Sequence, residues 1–130
     1  MSTILEKIQL IYQQSSSYPE LARKLMYVGV QSYTVDVATG TILYRMGDGN
    51  NAVHYGAQNI RSIASNLSLE GTISAIRRSQ SGKITYPEFM AEIADAGVFF
   101  YEASLKAETP NVTYYGSAAS YEEEIPISGT

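Results

Sequence analysis

The sequence predicts an α+β fold: one pseudo-symmetric domain from a duplicated helix–helix–strand–strand unit, each half with room for a third strand. Three observations carry that prediction. A helix-capping pattern occurs twice, a glycine closes the segment after each cap, and tyrosine-rich alternating segments follow each glycine. Hairpin-length links between those segments imply antiparallel pairing, with the helices packed on one face of the sheet.

The first helix is expected over 4–14, "ILEKIQLIYQQ", where Ile4, Ile8, Ile11 and Tyr12 share one face. The second opens at Ser17-x-x-Glu20, a capping box, with Pro19 in the first turn where a missing N–H does no harm. Gly29 marks its end. "VQSYTVDV" (30–37) and "TILYRMG" (41–47), joined by "ATG", form a hairpin, and "AVHYG" (52–56) is a third strand. "NIRSIA" (59–64) fits strand or helix.

The same order then returns. "LEGTISAIRRS" (69–79) is amphipathic through Leu69, Ile73 and Ile76. Thr85-x-x-Glu88 caps the next helix, Pro87 sits in its first turn, and Gly97 ends it. "VFFYEASL" (98–105) and "NVTYYG" (111–116) follow as strands, with "YEEEIPI" (121–127) as a third. At an offset of 68, residues 18–37 match 86–105 at six of twenty positions, including Tyr18/Tyr86 and Tyr33/Tyr101. Average residue usage would give about one. The expected organisation is a single domain over 1–130, with halves of about 1–66 and 67–130 and a loose tail at 127–130.

"SGKITYPEF" (81–89) resembles the second half of a calcium-binding loop. With Gly82 at position 6, Glu88 takes position 12, but position 1 is Arg77 and positions 3 and 5 are Ser79 and Ser81. One carboxylate does not offset dehydration of a divalent cation. The capping box explains Glu88 instead, and Gly82 fits the close of the preceding helix. No metal site is expected, and no cofactor fingerprint occurs. "GDGNN" (47–51) matches no phosphate-binding pattern and reads as a turn.

Composition narrows function by exclusion. The net charge is -4, and Arg23–Lys24 and Arg77–Arg78 are the only adjacent basic residues, with no basic stripe, so a nucleic-acid partner is not expected. No apolar run reaches the ~20 residues of a membrane span. The chain has no cysteine, and its first residues show no secretory pattern; a cytoplasmic location is the expectation. Glu122, Glu123 and Glu124 read as a solvated acidic edge.

Tyrosine is the unusual number: 11, against 3 Phe and no Trp. Tyr33, Tyr44, Tyr55, Tyr101, Tyr114 and Tyr115 all fall on expected strands. They form the candidate ligand-binding set if they share an open face, and core if they meet the helices. The single histidine, His54, is the candidate catalytic residue. The function expected is a non-catalytic binding or accessory module. It would recognise a small molecule or a protein through the tyrosine-rich sheet face or the cleft between halves. The alternative is a small enzyme using His54 with tyrosine or carboxylate partners. A homodimer is compatible with either.

The second half also resembles a known family. Gly82, Lys83 and Tyr86, then Ala96, Gly97 and Val98, then Thr113, Tyr114 and Tyr115, and finally Ile125 and Pro126 follow its pattern. The family is small, bacterial and of unknown function, often labelled "phage envelope protein" (YbcV-like). "VGVQSYTVDVATGTILY" is similar to its first half more weakly. The resemblance implies a chain of about this length and supplies no catalytic residues.

Overall fold

A computed structural model of the chain describes residues 3–15, 18–56, 59–106 and 108–125. Its elements run α1 (Ile4–Gln14), α2 (Tyr18–Tyr27), β1 (Val30–Asp36), β2 (Ile42–Met46) and β3 (Ala52–His54). They continue with α3 (Leu69–Gln80), α4 (Tyr86–Asp95), β4 (Phe100–Ser104), β5 (Asn111–Tyr115) and β6 (Ser120–Glu124). The expected α+β domain is what forms, and the two halves carry the same order of elements. "NIRSIA" belongs to neither a helix nor a strand. Ser17, Pro126 and the 127–130 tail lie outside the described residues.

The helix termini follow from their sequences. At α4 the Thr85 hydroxyl accepts from the Glu88 amide, while the Glu88 carboxylate accepts from the Thr85 amide at 2.8 Å. Glu88 is therefore a cap, and the Thr85 amide first, with the Thr85 hydroxyl second, holds its carboxyl below the usual range. Thr3 and Glu6 build the same box at α1. Gly82 and Gly97 close α3 and α4 with φ of +75° and +87°. In each case the glycine amide donates three residues back and the next amide five back, a Schellman ending.

All six strands join one antiparallel sheet in the order β3-β2-β1-β4-β5-β6. The halves meet where β1 pairs with β4. That pairing is centred on Thr34 opposite Glu102, two positions that are themselves 68 apart. On one face, alternate strand residues enter the core, among them Tyr33, Val35, Ile42, Tyr44, Tyr101, Ala103, Val112 and Tyr114. Ile8, Leu25, Ile76 and Ile93 come down from the four helices onto that face. The opposite face carries Thr34, Arg45 and Glu102, where Arg45 donates to both partners.

Candidate functional site

Helices α1 and α2 pack together, as do α3 and α4. Between the two pairs an open cleft of about 1100 Å³ reaches down to the sheet. Its floor is Tyr33, Tyr44, Tyr101 and Tyr114. One wall comes from α1 and α2 through Leu5, Ile8, Tyr12, Tyr18 and Leu21. The other comes from α3 and α4 through Ile76, Gln80, Tyr86 and Phe89. His54 lies on the rim.

The floor is made by register. In the first half Tyr33 of β1 lies directly opposite Tyr44 of β2, with ring centroids 5.8 Å apart. In the second half Tyr101 of β4 lies opposite Tyr114 of β5, at 5.3 Å. Strand alternation points all four rings toward the helices. Burial of the rings follows, with Tyr33 and Tyr44 each 2% exposed.

The helices then supply hydroxyl partners. Tyr18 shares a hydrogen bond with Tyr33, and Tyr86 with Tyr101. These two pairs correspond residue for residue under the 68-residue offset. The Tyr44 hydroxyl donates to Tyr12 at 3.2 Å. Burial pushes all these phenols up: Tyr18 and Tyr44 to about 12, and Tyr33, Tyr101 and Tyr12 well above the ordinary value near 10. Tyr86 and Tyr114 are raised for the same first reason. Near neutral pH the cleft therefore presents neutral hydroxyls, which can both donate and accept.

Beside Tyr114 runs a charged string. Tyr121 stacks near it, with centroids 6.4 Å apart, and donates to Glu123 at 2.5 Å. Glu123 takes a bidentate pair from Arg77 at 2.7 and 3.0 Å. Burial alone would raise the Glu123 carboxyl; Arg77 and Tyr121 outweigh it and hold the group below its usual range. Glu123 thus faces the helices rather than joining a purely solvated acidic edge; Glu122 and Glu124 are exposed. Arg78 pairs with Glu92 at 2.7 Å, so both arginines are engaged within the chain.

Of the six tyrosines expected on strands, four meet in the cleft. Tyr115 lies on the opposite sheet face, stacked on Phe100 at 4.7 Å. Tyr55 follows the end of β3 and is 80% exposed, away from the cleft lining. His54 is opposite Ile42 and exposed, and no described group hydrogen-bonds its imidazole. Sequence reasoning passed over Tyr12, Tyr18 and Tyr86 as site residues because they sit on helices. The 68-residue offset held a signal for two of them: Tyr18/Tyr86 and Tyr33/Tyr101 are among the six identities, and these identical residues bond each other. Among the described residues no group of three metal-ligating side chains occurs.

A family model described as "Protein of unknown function (DUF1398)" matches residues 6–121. The chain belongs to this family. No curated protein matches the chain. The family's match takes in both helical pairs and five strands with the start of the sixth, and so the whole floor of the cleft. Among the described residues of this DUF1398 chain, no helix is long and apolar enough to cross a membrane.

Proposed function

We propose that this DUF1398 chain is a non-catalytic binding module for a neutral, largely apolar small molecule held in the tyrosine cleft. The observation that carries this reading is the lining itself. Its volume suits a drug-sized ligand, and it holds no Lys, Arg, Asp or Glu. A charged ligand would lose hydration there without a countercharge, whereas an apolar body would meet Ile, Leu and Phe. Phenol hydroxyls on the floor and walls give a polar group on that body somewhere to bond. A chain without cysteine suits a reducing compartment, in keeping with action in the cytoplasm. The label "phage envelope protein", attached to similar sequences, names no chemistry that such a cleft performs.

A second reading rests on His54 at the rim, which stands with neutral phenols in a single cavity. A small enzyme could use the imidazole as base and a phenol as acid.

A thermal-shift screen tests the first reading, using neutral aromatic compounds and their carboxylate analogues. A ligand at 100 times its Kd stabilises by about 2.7 kcal/mol. The expected outcome is stabilisation by neutral members and little by charged ones. A uniformly flat screen, or preference for the charged set, would overturn the reading. Turnover of a bound compound that is lost in His54→Gln, with the fold intact, would favour the enzyme instead.

A further inference from the structure

The floor tyrosines are matched across the two halves, but their partners are not. Tyr44 and Tyr114 hold corresponding places, each opposite the tyrosine of the neighbouring inner strand. The Tyr44 hydroxyl donates a hydrogen bond to Tyr12 on α1. The position 68 residues after Tyr12 is Gln80, at the end of α3. Helices α1 and α3 correspond at that offset elsewhere too, since Ile8 and Ile76 both point into the core. A phenol thus closes over the floor in the first half, and an exposed glutamine stands at the corresponding place in the second.

The consequence is a hydroxyl without a partner. Tyr114 is 7% exposed, and no described group hydrogen-bonds its oxygen. No fully buried side-chain polar atom is left unsatisfied among the described residues, so this oxygen reaches the open space of the cleft that Tyr114 lines. An enclosed hydroxyl without a protein partner is a group that a ligand can satisfy.

The geometry also sets the polarity of what would bind. The Gln80 carbonyl oxygen accepts from Arg77 Nη1 at 3.1 Å, an orientation required because guanidinium only donates. That leaves the Gln80 amide NH2 as the free end beside the cleft. Tyr114, hindered from ionising, keeps its proton. The free end of Gln80 can only donate, and the Tyr114 hydroxyl supplies a second donor beside it.

We propose that Tyr114 and Gln80 form the polar anchor of the cleft and select a ligand carrying a neutral acceptor, a carbonyl on an apolar body. This rests on the binding reading above and assigns its polar end to one half of the pseudo-symmetric floor. A carboxylate is disfavoured in that place because Glu123, paired with the same Arg77 that holds Gln80, already takes the nearby positive charge.

The test is a matched pair of probes, benzophenone and diphenylmethane, which differ by one carbonyl oxygen; 4-benzoylbenzoate adds a charge. Binding to the full chain is followed by titration calorimetry, because the diaryl probes absorb in the same ultraviolet range as tyrosine. The expected result is benzophenone bound about tenfold tighter than diphenylmethane, with that preference abolished in Tyr114→Phe and reduced in Gln80→Leu. Tyr27→Phe, on the outer surface of α2, keeps the preference. Gln80 is exposed, so its replacement tests the anchor even if the Tyr114 variant is poorly folded. Equal binding of the two probes by the natural chain would overturn the anchor and leave the apolar cleft reading standing. So would a preference that survives both replacements. Failure of all three probes to bind would overturn both.

Discussion

At the scale of single residues, the phenols explain both the cleft and a vulnerability of the fold. A buried tyrosine is satisfied while it keeps its proton, and ionisation would place a charge in a poorly hydrated site. The folded-state values of Tyr18 and Tyr44 are raised to about 12 and those of Tyr33 and Tyr101 well above the ordinary value, all by burial first. Below pH 10 folded and unfolded chains hold these protons equally, so the phenols add no pH dependence there. Above it the unfolded chain releases protons that the folded chain keeps. Stability then falls, by about 1.4 kcal/mol per pH unit for each such phenol. Alkaline unfolding is therefore expected to be abrupt, with phenolate absorbance of these residues rising together with loss of circular dichroism. A smooth titration of the same phenols in a chain that stays folded would contradict their burial.

At the scale of elements, the helices and strands were legible because their ends are chemically marked. Thr85 with Glu88 and the closing glycines Gly29, Gly82 and Gly97 are local signals, decided by backbone geometry within a few residues. The faces of the tyrosines were less legible. Tyr115 and Tyr114 are neighbours on one strand, and only the pairing with β4 and the side chosen by the helices decides which is floor and which is surface. Tyr55 misled for a different reason: β3 ends at His54, one residue before it. Glu123 hid within an acidic run because its partner, Arg77, is 46 residues away. The marked ends also differ in what surrounds them. An added Cβ at Gly82 meets open space, while at Gly97 it would lie 2.3 Å from the Asn66 carbonyl oxygen. Gly82→Ala is expected to destabilise by about 1 kcal/mol, from its positive φ alone. Gly97→Ala should lose at least about 2 kcal/mol, since backbone must also move. Denaturant midpoints of the two variants would check the difference; equal losses would mean that the Asn66 segment yields freely.

At the scale of the molecule, the question is whether two halves with the same order of elements behave as one body. The halves are joined through the middle of the sheet, with β1 and β4 hydrogen-bonded over five residue pairs about Thr34 and Glu102. The helices of both halves contribute to one continuous core. Neither half keeps a protected sheet edge without the other, and about 65 residues alone bury little apolar surface. Leu25 and Ile93 hold corresponding places under the 68-residue offset, and both are fully buried. Leu25→Ala and Ile93→Ala are each expected to lose about 2–5 kcal/mol through the cavity they leave. Each should lower one shared transition rather than loosen its own half. The check is denaturant unfolding followed in parallel by circular dichroism and tyrosine fluorescence. Coincident curves in the natural chain and in both variants are the expected outcome. A variant that splits the curves would show the halves to be separable, and the cleft between them would then be a hinge between two bodies rather than a groove cut into one.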